Sequence, residues 1–110
     1  MAYDQGLAQR VLEYFESRLD LETKKMFGGL GFLIVGNMCC GVVGDKLMAR
    51  VGPDEYEACL KMPHVAVMDF TGKSMKGFVY VLPEGLEDDS DLAFWLGKCE
   101  DFINTLTPKL

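Results

Sequence analysis

No CxxC pair, no second histidine and no apolar run approaching a membrane span occur in this chain of 110 residues. A helix needs roughly 20 apolar residues to cross a bilayer, so no membrane segment is expected. The amino end, MAYDQGLAQRVLEYF, lacks the basic-then-apolar layout of a secretory signal, which points to a cytoplasmic protein. With His64 as the sole histidine, a zinc site would need an unusual ligand set, and no metal or cofactor is expected. The four cysteines, Cys39, Cys40, Cys59 and Cys99, are instead expected as buried reduced thiols. Neighbours on a strand point to opposite faces, so Cys39 and Cys40 are not expected to act together.

Two glycine-rich stretches invite comparison with phosphate-binding loops, and both fall short. Gly72-Lys73-Ser74 has Val67 where a nucleotide-triphosphate loop requires its first glycine, and a strand rather than a helix follows. MFGGLGF supplies Gly29 and Gly31 but has Ile34 at the third glycine position, with a hairpin after it. His64 has no sequence-level triad partner, and Asp69 reads as a turn residue ahead of Gly72 as readily as an acid or base. Tyr56 and Tyr80 read as packing residues with a polar tip. No catalytic residue is assigned, and the chain is read as non-enzymatic.

What the chain does have is apolar density: nearly half its residues are hydrophobic, enough for one packed domain over 1–110. Leu7, Val11, Leu12, Phe15 and Leu19 follow helical spacing across Asp4 to Leu19. LETKKM reads as a short strand, and three apolar segments follow. Phe32–Val35 and Met38–Val43 are joined at Gly36-Asn37, and Gly44-Asp45 leads into Lys46–Val51. Tight turns in succession imply an antiparallel meander. Gly52-Pro53-Asp54 opens a second helix that stops before Pro63. GFVYVLP is a strand, with Lys73 and Lys76 in a polar loop before it. Leu92, Trp95, Leu96, Cys99, Phe102, Ile103 and Leu106 then mark a long amphipathic helix. The expected class is α+β: an antiparallel sheet with helices on one face, in the order α-β-β-β-β-α-β-α.

The net charge of −6 is uneven. Glu84, Glu87, Asp88, Asp89, Asp91, Glu100 and Asp101 face only Lys98 in the last third, a balance that disfavours direct DNA binding through that face. Lys25, Arg50, Lys73 and Lys76 form a candidate cationic constellation for a carboxylate, a phosphate or an acidic partner; each also reads as an ordinary surface residue. Met26, Met38, Met48, Met68 and Met75 read as core filler or as an adaptable apolar surface.

Three pieces taken together carry a resemblance: MFGG, GVVGDKLMARVG and MDFTGKSMKGFVYV. Over roughly residues 7–108 the chain resembles the amino-terminal domain of the TfoX/Sxy competence-regulator family. The resemblance implies a bacterial α+β domain of secretion-chaperone-like architecture. It also implies a part in regulating DNA uptake, by assisting a transcription activator. Larger members carry a second helical domain, whereas this sequence ends at Leu110, so a stand-alone domain is expected. The family brings no catalytic residue. The function expected is a regulatory domain that binds a protein partner or itself; the alternative is a small anionic-ligand or enzyme-like site built on Arg50, Lys73 and Lys76.

Overall fold

The computed structural model describes residues 3–26, 28–70 and 73–106, with the side chains at 26, 69–70 and 73–76 left aside. Helix α1 (Gln5–Tyr14) starts at Asp4, whose carboxylate accepts from the backbone N–H of Gly6 (2.8 Å) and Leu7 (3.2 Å). That satisfies two of the free donors at the helix start. The helix ends at Tyr14 with Phe15 as its cap, earlier than the apolar spacing suggested. Leu19 therefore falls outside it and is fully exposed rather than on the buried stripe. Asp4 N–H also donates to Gly44 O at 2.7 Å, which pins the start of α1 to the sheet.

Strands β1 (Leu21–Met26), β2 (Gly29–Ile34), β3 (Asn37–Val43) and β4 (Lys46–Arg50) form the expected meander. Helix α2 (Pro53–Leu60) then crosses to a hairpin of β5 (Val65–Phe70) and β6 (Lys73–Val81), and α3 (Asp89–Ile103) closes the chain. The sheet is antiparallel throughout, in the order β1-β2-β3-β4-β6-β5. The α+β class and the helix–meander–helix–strand–helix succession hold, with one addition. Val65–Phe70 is a strand of its own, and the segment of Lys73 and Lys76, expected as a loop, is the start of β6. The β-branched run of Val65 and Val67 finds its hydrogen bonds on β6, which an isolated reading does not reveal.

Register explains the core. Phe32, Cys40, Ala49 and Val79 align across four strands, as do Leu30, Val42, Leu47, Val81 and Val65 across five. Cross-strand partners share a face, and these rows form one cluster with Val11 of α1, Cys59 of α2 and Trp95, Leu96 and Cys99 of α3. All three helices thus cover the same face. Met48 and Met68, fully buried, lie outside that cluster.

Two irregularities bear on chemistry. The β2–β3 turn is one residue earlier than expected: Ile34 pairs with Asn37, so Val35 and Gly36 are its centre, at φ 47° and 80°. Positive φ at both centres is the hairpin-favoured primed geometry, yet a β-branched residue there costs about 1–2 kcal/mol. Val35→Asn should relieve that strain while losing about half of a valine's burial, worth about 0.8 kcal/mol. The expected net is a gain of about 0.5 kcal/mol, read as a higher urea midpoint at unchanged slope. The second irregularity is a bulge in β3. Phe32 pairs with Cys40 but Leu33 pairs with Met38, so Cys39 is an extra residue. Cys39 and Cys40 are both fully buried, and the bulge between them breaks the simple alternation expected.

Candidate interaction surface

Of the four cations singled out in the sequence, Lys25 and Arg50 have described side chains, and these two stand apart. Lys25 is exposed on edge strand β1, whereas Arg50 lies on β4, three strand spacings or about 14 Å across the sheet. Arg50 is half-buried and engaged: Nη1 donates to Met38 O at 3.1 Å. Its guanidinium carbon sits 5.4 Å from the Phe78 ring centre and 5.2 Å from that of Phe102. Stacking between two rings suits a weakly hydrated guanidinium. Burial lowers its pKa from the usual arginine value. The side chains of Lys73, Lys76 and Asp69 lie outside the described residues. His64 is exposed at φ 64°, and its carbonyl accepts from Leu82 N–H at 2.8 Å.

A different feature stands beside Arg50. The N-terminus of α2 and the C-terminal half of α3 bound a cleft of about 390 Å³. Val51, Gly52 and Phe102 form its apolar part, and Asp54, Glu55, Lys98 and Asp101 its polar part. Local sequence dictates the α2 side. Gly52 has φ 87°, which turns β4 into the helix, and its N–H donates to Gly77 O at 3.1 Å. Pro53 occupies the first turn, where no N–H is needed, and Asp54 and Glu55 follow at the positive helix end.

The α3 side presents a stripe at four- and three-residue steps: Phe94, Lys98 and Asp101. Lys98 Nζ donates to Glu55 Oε1 at 2.9 Å and lies 5.3 Å from the centre of the Phe94 ring. The hydrogen bond to Glu55 raises the Lys98 pKa against the opposing effect of burial. Phe94 is 46% exposed, an aromatic left in water beside the cleft. Three carboxylates against one ammonium leave the cleft acidic. Sequence reading missed it because its walls are formed by segments some forty residues apart. One signal was there: Phe94 falls off the buried stripe that carries Trp95 and Leu96.

On another side of the same stretch of α3, Glu100 ties down the end of α1 and the segment after it. Tyr14 Oη donates to Glu100 Oε1 at 2.8 Å, and Arg18 Nη1 donates to Oε2 at 2.9 Å. Arg18 also forks onto Asp20, from Nε at 2.9 Å and Nη2 at 3.0 Å. The Arg18 hydrogen bond holds the Asp20 carboxyl below its usual pKa, a stabilisation present at neutral pH and lost as pH falls into the carboxylate range. Burial, then the hydrogen bond to Glu100, pushes the Tyr14 phenol up to about 12. Because the folded value is the higher one, its contribution holds below the ordinary tyrosine value and is lost as pH rises toward about 12. Titration of the Tyr14 ring followed by NMR should place its midpoint near 12. In Glu100→Gln the midpoint should drop only part of the way, because burial, the larger cause, remains.

The family model described as the TfoX N-terminal domain matches residues 13–103. The chain belongs to this family. The match runs from the last turn of α1 to the end of α3, and so takes in the whole sheet, the cleft and the Glu100 network. No curated protein and no solved structure matches the chain. Among the described residues no group of His, Cys, Asp and Glu is placed to hold a metal ion, and no helix is long and apolar enough to cross a membrane.

Proposed function

We propose that this TfoX N-terminal domain is a non-enzymatic regulatory module that acts in the control of competence by binding a protein partner. The acidic α2–α3 cleft is its contact surface, and a basic segment of the partner is its occupant. Family membership supports the regulatory role. The observation that carries the contact is the set of Asp54, Glu55 and Asp101 around a cleft of ligand-binding size, with the exposed Phe94 ring against Lys98 of its wall. Aromatic anchors flanked by charge are the usual centre of a protein contact, and the carboxylates select a basic partner and speed its approach.

The competence part is tested in the native cell. Deleting the gene should lower transformation frequency at least about tenfold, and restoring the intact gene should recover it; an unchanged frequency contradicts the reading. An anionic-ligand site on Arg50 draws no support from its geometry, because that guanidinium is taken up by Met38 O and two rings.

A further inference from the structure

The two edges of the sheet are built differently. Edge strand β1 carries Glu22, Lys24 and Lys25, all exposed, a charged dressing that keeps an edge from pairing with another chain. Edge strand β5 has no such charge over Val65, Ala66 and Val67, and Val67 is 46% exposed. The ladder fixes which way its backbone points. Leu82 N–H donates to His64 O at 2.8 Å, in the same register that pairs Ala66 with Tyr80 and Val67 with Val79. Hydrogen bonding alternates along an antiparallel strand, so His64 and Ala66 turn their backbone groups towards β6. Val65 and Val67 turn their N–H and C=O outward, and among the described residues those groups have no backbone partner.

We propose that β5 is a self-association edge: two copies of this chain pair β5 to β5 about a two-fold axis and continue the antiparallel sheet from one copy into the other. The outward groups set the register. Pairing Val65 with Val67 of the second copy lets each N–H donate to the other's carbonyl. It places Ala66 opposite Ala66 on the axis and is unchanged when the copies are exchanged. Neighbouring registers lose bonds. A shift one way brings in Pro63, which has no N–H, and a shift the other way meets the bulge between Val67 and Asp69. The side chains agree with this frame. Val67 shares the helix-covered face with Val79, so its exposed methyls meet Val65 of the second copy.

Charge complementarity identifies the occupant as a second copy. Helix α2 packs over β6 and β5, whereas α3 lies over β3 and β4, so one flank of α2 faces the free edge. Cys59 is buried beneath α2, and Glu55 reaches Lys98 on the α3 side. Helical spacing then places Glu57 and Lys61, both exposed, on the opposite flank. Residues 61–64 return the chain directly from α2 to β5, which sets Lys61 level with Val65 and Glu57, one turn back, level with Val67. The two-fold that pairs Val65 with Val67 therefore brings Glu57 of each copy against Lys61 of the other. The acidic α2–α3 cleft lies on the other flank of α2, so it stays open and the pair presents it twice.

The test is the mass of the folded full chain in solution, by sedimentation over a range of concentrations. The wild type should move from the 12.3 kDa chain to twice that mass as concentration rises. Val67→Pro should weaken pairing at least about tenfold, because it removes an outward N–H and none that β6 uses. Glu57→Lys and Lys61→Glu should each weaken it about threefold at low salt, and the double exchange should restore it. Both positions are exposed, so these variants keep the fold even where Val67→Pro does not. Ala66→Cys should give a covalent dimer under mild oxidation, since opposed residues of this kind stand about 4.5 Å apart at Cα and the native cysteines are buried. A chain that stays monomeric up to about 1 mM overturns the proposal and leaves the edge to a foreign strand or to water. A dimer indifferent to the charge exchange, or one that Ala66→Cys does not cross-link, overturns it as well.

Discussion

Phe32→Ala should cost about 4 kcal/mol, since removing a fully buried phenylalanine leaves a cavity the neighbours only partly fill. Phe32 has no exposed surface and stands in the row with Cys40, Ala49 and Val79, beside the β3 bulge. The bulge makes collapse harder. A regular strand can slide to close a gap, whereas Cys39 and Cys40 are both already fully buried. A domain of this size has only about 5–15 kcal/mol in total, so the loss is a large share of it. Urea unfolding should show a lower midpoint with the slope retained. A loss below about 1 kcal/mol would mean that this row is not the centre of the core.

Gly52→Ala is the second large effect, about 3 kcal/mol, and it arises from two separable causes. A side chain at φ 87° costs about 1–2 kcal/mol, and the new methyl would overlap the Phe102 ring, with overpacking of this kind costing typically about 1–3 kcal/mol. The two are distinguished by a cycle with Phe102→Leu. In that background the overlap is relieved, and Gly52→Ala should cost only the backbone part, about 1–2 kcal/mol. Equal costs in both backgrounds would show that Phe102 does not close on Gly52. The variant also probes the cleft, because Gly52 and Phe102 form its apolar part.

Much of this architecture was legible in local chemistry. Gly44-Asp45 does join β3 to β4, Pro53 does open α2, and Leu92, Trp95, Leu96, Cys99 and Ile103 are buried as their spacing requires, with Phe102 half-buried. The features that were not legible are those that depend on a partner segment. Val35-Gly36 displaced Gly36-Asn37 as the turn because register is fixed by the whole β2–β3 ladder, even at the cost of a strained valine. The bulge at Cys39 is invisible to strict alternation, which assumes one residue opposite each neighbour. β5 was hidden because Val65–Phe70 runs directly into the polar TGKS segment. Of the candidate cations, Arg50 alone has a described, interior environment, and its role there is to bridge Phe78 and Phe102. The acidic run was read correctly as a charge imbalance, but only packing brings Asp101 opposite Asp54 and Glu55.

The Phe94–Lys98–Glu55 arrangement also explains why the cleft stays open. Lys98 is held by Glu55 on one side and by the Phe94 ring on the other; its hydrogen bond goes to Glu55, and Asp101 acts on it only through a smaller electrostatic pull. Those two exposed carboxylates remain available to an incoming basic group. Neutralising them should leave the fold intact, because neither is part of the buried core.

The most direct test is co-purification from the native cell at low and moderate salt, comparing the wild-type chain with Asp54→Asn/Asp101→Asn. A protein partner should be held by the wild type, weakened by salt, and reduced at least about tenfold by the paired substitution in a chain that still folds. Equal retention by both chains at both salts would contradict the cleft as the contact surface. Recovery of no partner by the folded wild type would contradict the interaction role itself.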